Sequence, residues 1–244
     1  MALYTTKAII LGAVNWGEAD RIVTFFSRER GKIKAAAYGC RRPRSRLATI
    51  SQIFSIVDVQ LSSGQRLDIV RNCEHNGFLA DFSLDYTAFA YASFIAEFVT
   101  EVFEEGQVQT EVYDKLIQII PAMVKRNPRI VALAGFLQLL EYTGYQLHYD
   151  KCVVCGTDIQ DDAFFSYEQG GVICNECHND KHIILAENVR RLILHLKVLQ
   201  WDKLQSFNIQ GKDLLAAEAI MLNYIEFILD KRLKSLDFIN QIIK

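Results

Sequence analysis

No stretch of this sequence stays apolar for the ~20 residues needed to span a bilayer; the most apolar later stretch, Ile130 to Leu140, falls far short. Met1 to Lys7 lacks a basic n-region, and the short apolar run behind it leads to Asn15, which excludes a secretory leader. A cytosolic protein is expected, and in that compartment paired cysteines signal metal or redox chemistry before disulfides. The common catalytic signatures are also missing. Gly12-Ala13-Val14-Asn15-Trp16-Gly17 has the glycine spacing of a phosphate-binding loop, but Glu18-Ala19 follow where Lys and Ser/Thr are required. There is no H-x-E beside the cysteines, as zinc deaminases need, and no H-E-x-x-H or G-x-S-x-G. Glu74 and His75 are neighbours on a strand and point to opposite faces, so they form no dyad. Nothing points to catalysis.

The composition that remains is ordinary for a globular chain. Of 244 residues, 50% are hydrophobic and 23% charged, which argues against disorder and allows one large domain or two smaller ones. The net charge is only −2, but it is unevenly spread. Residues 1–80 hold 12 Lys+Arg against 6 Asp+Glu, and the remaining 164 hold 15 against 23. A basic front and an acidic back suggest modules that face different partners.

The front is where the charge concentrates. Arg28, Arg30, Lys32, Lys34, Arg41, Arg42, Arg44 and Arg46 crowd together with one acid, Glu29. Lys32 and Lys34 alternate with Ile33 and Ala35, which predicts a half-buried strand with the two lysines on a wet face. Gly39 ends that strand, and Arg41-Arg42-Pro43-Arg44-Ser45-Arg46 reads as a loop because Pro43 cannot donate to a ladder. Guanidinium groups packed this densely repel one another and call for a polyanion. Tyr38 beside them is open to two readings, a base-stacking platform or a core residue.

Short strands are predicted over residues 7–11, 21–26, 32–38, 52–61 and 65–71, separated by Gly12, Gly17, Gly31, Gly39 and Ser62-Ser63-Gly64. Five strands in about eighty residues fit a small closed barrel of the oligonucleotide-binding (OB) type. Composition changes near Asp81. Helical spacing of apolar residues predicts helices over 85–105, over 111–125 with a kink or restart at Pro121, from Pro128 to about Gly144, over 187–201 and over 212–230. The predicted architecture is α+β: an OB barrel over 1–80, then a helical domain over 81–244 with a cysteine insertion at about 150–182.

Cys152-Val153-Val154-Cys155 and Cys174-Asn175-Glu176-Cys177 are two C-x2-C knuckles 18 residues apart, the spacing of a zinc site. Four thiolates close a tetrahedral shell and leave no position for water, so one structural zinc ion is expected rather than a catalytic one. The segment between, Ala163 to Ile173, reads as the hairpin that joins the knuckles. His178 and His182 are expected outside the ligand shell, and Cys40 and Cys73 as ordinary barrel residues.

The most specific stretches are Gly17-Glu18-Ala19-Asp20-Arg21-Ile22-Val23, Gly31-Lys32-Ile33, Gly39 to Leu47 and Arg232-Leu233-Lys234-Ser235-Leu236. With the four-cysteine insertion, the whole chain resembles the RecO family of bacterial DNA repair and recombination mediators, in its zinc-containing branch. The resemblance implies a non-enzymatic protein that binds single- and double-stranded DNA and anneals complementary strands. It implies contact with the acidic tail of single-strand-binding protein and, with RecR, loading of RecA recombinase, in the cytoplasm at the nucleoid. The family's DNA contacts carry over to Lys32, Lys34, Arg41, Arg42, Arg44 and Arg46, and Tyr38 joins the DNA-binding candidates through its place beside the loop. Arg126 and Arg129 are selected by charge alone for the tail of single-strand-binding protein. The alternative reading is a zinc-ribbon transcription or RNA-binding accessory factor, which would prefer RNA or a fixed promoter element. A metallohydrolase using His178 or His182 is the third reading, and a nuclease assay with chelator separates it.

Overall fold

The computed structural model describes residues 2–201 and 209–242, and the chain forms two compact units: Met1–Pro128 with Ser235–Lys244, and Arg129–Lys234.

The first unit is built on a closed five-stranded barrel: β1 (Leu3–Trp16), β2 (Asp20–Ser27), β3 (Gly31–Ala37), β4 (Ser55–Ser62) and β5 (Asp68–Phe78), in the order β1-β2-β3-β5-β4. Strict alternation puts Val57, Val59 and Leu61 of β4 inward, where they meet Ile10, Val23, Phe25 and Ile33. Gly12, expected to end the first strand, instead follows a bulge between Ile10 and Gly12. The bulge bends the strand, so its first half pairs with β4 (Leu3 to Ile9) and its second half with β2 (Ala8 to Trp16). β1 therefore reaches Trp16, well past the predicted end. The barrel closes where β3 meets β5 in parallel, at Ala35 with Asp68 and Ala36 with Ile69.

Helix α1 (Tyr86–Val102) begins at Asp85, whose carboxylate accepts the Ala88 N–H at 2.8 Å. Helix α2 (Thr110–Lys125) continues through Pro121, because buried side chains on both sides of it, Leu116 and Ile119 before and Met123 after, hold the helix by packing. The closing helix α6 (Lys234–Ile242) belongs to this unit. The Ser235 N–H donates to Glu97 Oε2 at 2.8 Å, and Phe238 meets Phe89 edge-on at 6.5 Å. No helix was predicted there; the stretch is short and carries few apolar positions.

The second unit holds α3 (Pro128–Leu140), α4 (Glu187–Lys197), α5 (Gly211–Leu229) and a three-stranded sheet of order β7-β6-β8 (Gly171–Ile173, Ala163–Ser166, Ile183–Leu185). Every residue of α3 from Val131 to Leu140 is buried, as its all-round apolar sequence requires. The third strand, β8, is only three residues long and escaped notice in the sequence.

Candidate nucleic-acid interface and metal centre

Gly39, at φ +65°, turns the chain out of β3. Its N–H donates to Asp20 Oδ1 at 2.7 Å, and the Arg41 N–H donates to the Ala19 carbonyl at 3.0 Å. These bonds lace the loop to the turn between β1 and β2. At its far end Leu47 packs against the barrel core and Ile50 is fully buried in it. The arginine loop is thus anchored at both ends, with Arg41, Arg42, Arg44 and Arg46 all exposed between. Arg41 Nη1 donates to the Gly17 carbonyl at 3.3 Å. Arg42, Arg44 and Arg46 have no carboxylate partner among the described residues. Tyr38 stands at the root of the loop, 51% exposed, so it is not a core residue. Its ring lies 5.8 Å from that of Trp16, which is 43% exposed at the end of β1. The sequence reading missed Trp16, having weighed its segment only as a phosphate-binding loop. The usable signal was Val14-x-Trp16, two large apolar residues at alternate positions of a strand end.

The four predicted cysteines come together. The Sγ atoms of Cys152, Cys155, Cys174 and Cys177 all lie within 4.8 Å of one another, an arrangement that can hold a metal ion. Cys155 Sγ and Cys174 Sγ are 3.7 Å apart, close to the edge of a tetrahedron about 3.8 Å long that Zn–S bonds of ~2.3 Å would draw. Gly156, at φ +77°, lets the first knuckle turn, and its N–H donates to the Cys152 carbonyl at 2.8 Å. Burial opposes ionisation of Cys152, but the amides of Cys174, Cys155 and Val154 outweigh it and bring the thiol down to about 6. Cys177 is pushed up to about 12 by the Cys174 and Cys155 sulfurs beside it. Four sulfurs this close need a shared cation before all can be thiolates. His178 stacks on Phe164 at 3.9 Å and is bonded through Nδ1 to the Asn175 carbonyl; His182 Nδ1 accepts the Asn179 N–H. Both histidines lie outside the sulfur cluster. Arg190, buried on α4, ties the cysteine module down by donating to the carbonyls of Tyr149 at 3.3 Å and Gln160 at 3.0 Å.

Lys32 departs from its expected wet face. It is 6% exposed, and its Nζ donates to the Thr100 carbonyl in the last turn of α1 at 2.6 Å. The period-2 pattern placed it outside the barrel, but the end of α1 and the segment after it cover that face of β3. Gly106 N–H donates to the Lys32 carbonyl at 2.9 Å. Burial, with Lys34 adding to it, holds the Lys32 ammonium below its ordinary pKa. Lys34 is more open and pairs with Glu105 at 3.0 Å.

The first unit thus carries an exposed arginine loop on its barrel, and the second a four-cysteine module. Residues 1–77 match the family description "Recombination protein O N terminal", and residues 83–237 match "Recombination protein O C terminal". The chain belongs to the recombination protein O family. Relatives named DNA repair protein RecO include that of Symbiobacterium thermophilum, 32% identical over 98% of both chains. That of Bifidobacterium animalis subsp. lactis is 30% identical over 97% of this chain and 98% of its own. That of Desulforamulus reducens is 29% identical over 100% of this chain and 96% of its own.

As a RecO-family chain it has a second unit that pairs Arg129 with Glu218 of α5. That guanidinium is largely buried and already spoken for. Arg126, the residue that ends α2, is half-buried. No helix among the described residues is long and apolar enough to cross a membrane.

Proposed function

We propose that this RecO-family protein is a non-enzymatic mediator of DNA repair and recombination that holds single and double strands by their phosphates at the arginine loop. Arg42, Arg44 and Arg46, exposed and without carboxylate partners, carry the proposal. Guanidinium groups grip phosphate oxygens bidentately and carry no base information, so binding is expected to show little sequence preference. Trp16 and Tyr38 offer π-faces to bases held beside the loop. Annealing needs two strands brought together with their charge screened and their bases free, and a basic, aromatic-edged surface does this without chemistry. Lys34, on the same barrel, is paired with Glu105, and Lys32 is held beneath the end of α1.

The cysteine cluster takes one zinc ion that fixes the fold of its module, since four sulfurs leave no open coordination position. Following the family resemblance, RecR, the acidic tail of single-strand-binding protein and, through them, RecA are the protein partners, and the protein works in the cytoplasm at the nucleoid.

The deciding experiment reverses Arg41, Arg42, Arg44 and Arg46 to glutamate and titrates DNA and RNA oligonucleotides into protein of confirmed fold. Loss of DNA uptake, with a parent salt slope near −0.7 per phosphate contact on single strands, is the expected result. Unchanged uptake overturns the reading, and a marked preference of the parent for RNA replaces it with the accessory-factor alternative. Annealing of strands coated with single-strand-binding protein, with and without its acidic tail, tests the partner half.

A further inference from the structure

At the opposite end of β3 from the arginine loop lies a cleft of about 430 Å³, within the size range of ligand sites. Its walls are the turn before β3, the loop between β4 and β5, and the segment that follows α1. Gly64, which lines the cleft, and Gly31, in the turn before β3, are both tightly confined. A Cβ at Gly31 would sit 1.8 Å from the Gln107 carbonyl oxygen, and one at Gly64 would sit 1.9 Å from that of Leu67. Backbone packs closely at these two turns, while Gly106, also in the lining, has open space around it.

Four cationic side chains line it against three carboxylates: Arg30, Lys32, Lys34 and Arg66 against Glu29, Asp68 and Glu105. Glu29 accepts from the Thr6 and Ser27 hydroxyls, each at 3.2 Å. Asp68 accepts from the Tyr4 hydroxyl and from the Gly64 N–H at 3.1 Å. Glu105 pairs with Lys34. The Arg30 guanidinium carbon sits 4.1 Å from the centroid of the Tyr4 ring, a cation–π contact. Arg66 is exposed on the loop between β4 and β5. Neither arginine has a carboxylate within ion-pair reach among the described residues.

We propose that Arg30 and Arg66 form a second phosphate-binding point, which takes two neighbouring phosphates farther along the same single strand that the arginine loop holds. This rests on the nucleic-acid reading of that loop. β3 has seven residues, so at ~3.3 Å per residue the two points are about 20 Å apart along one strand. That is the scale of a track across one small barrel, for which sites of about 4–16 nucleotides are usual. Two grips at that separation favour an extended single strand and give a short one no advantage.

The test compares the parent protein, the fourfold loop reversal and Arg30→Ala/Arg66→Ala on thymidine oligonucleotides of about 4 and about 16 residues. In the double variant the longer oligonucleotide is expected to bind about tenfold more weakly. Its salt slope should be shallower by about 1.4, the share of two contacts at ~0.7 each. The shorter one should lose less. Arg66→Ala alone, which touches no packed ring, should give half the change in slope and guards against a fold defect from Arg30. Inorganic phosphate should not compete at concentrations matched in ionic strength, since a free anion gains nothing from the loop.

A double variant that binds the long oligonucleotide with unchanged affinity and slope, beside a loop variant that fails, overturns this inference and leaves the loop reading intact. A loop variant that still binds while the double variant does not has the opposite meaning: the cleft is then the principal site and the loop reading falls.

Discussion

Lys34 Nζ lies 3.0 Å from Glu105 Oε1, so a cation on the outer face of the barrel is neutralised by the segment that follows α1. Both side chains are partly exposed, and such a pair stabilises the fold by less than about 1 kcal/mol. Its larger effect is on what Lys34 can hold. Glu105→Gln is expected to raise affinity for single-stranded oligonucleotides about threefold at low salt and to steepen the salt slope by about 0.7, one added phosphate contact. Fluorescence anisotropy at several salt concentrations measures both.

Lys32 should behave in the opposite way, since its ammonium is occupied at Thr100. Its folded pKa lies below the ordinary 10.5, so the unfolded chain holds this proton more tightly than the folded one. Stability from this group therefore rises as pH climbs through the folded pKa toward 10.5 and is lower at neutral pH. Denaturant unfolding between pH 8 and 10.5 is expected to show this rise in the parent and not in Lys32→Met. Oligonucleotide affinity at pH 7 should change less than about twofold, because no phosphate contact is lost.

These two lysines mark where the sequence could be read and where it could not. Alternation correctly made β3 a strand, but period 2 says only that Lys32 and Lys34 share a face, not what covers that face. The cover comes from Thr100 and Gly106, nearly seventy residues on, and no local pattern encodes it. The four cysteines were legible in full, because metal chemistry demands a fixed spacing that nothing else in the sequence imitates. Trp16 was missed because Gly12 looked like a strand end, whereas a bulge beside it carries the strand onward. Tyr38 stayed open between core and surface because it follows the last residue of β3 and lies outside the alternation that sorts the others.

Trp16 offers a direct optical readout. The chain has two tryptophans, and if bases stack beside Tyr38, single-stranded oligonucleotide should quench the emission of Trp16. The quench should survive Trp201→Phe and vanish in Trp16→Phe. Trp16→Ala should weaken single-strand binding by about 1–3 kcal/mol with little change in salt slope, since stacking releases no counterions.

Metal analysis of protein purified without chelator should find zinc at one ion per chain, in the one cysteine cluster among the described residues. Cys155→Ser should abolish that stoichiometry and expose the Ala163 to Ile173 hairpin to rapid amide exchange, with barrel amides unaffected. A strong chelator should reproduce the same exchange pattern in the parent.

Gly31→Ala combines a left-handed backbone, φ +66°, with a clash against the Gln107 carbonyl. It should cost at least about 2 kcal/mol, read as a lowered denaturation midpoint with unchanged m-value. Gly12→Ala, where a Cβ would meet nothing within 4 Å, is the matched control and should cost under about 1 kcal/mol.

The return of α6 to the unit begun by the first 128 residues sets a timetable for synthesis. Glu97 and Phe89 on α1 wait for Ser235 and Phe238, so a ribosome must add well over a hundred further residues before that surface is sealed. Nascent chains emerge at ~5–20 residues per second, which leaves α1 bare for several seconds and open to chaperones. A stop codon just ahead of Lys234 would leave the arginine loop and the cysteines in place, yet release a chain with that hydrophobic seam permanently open.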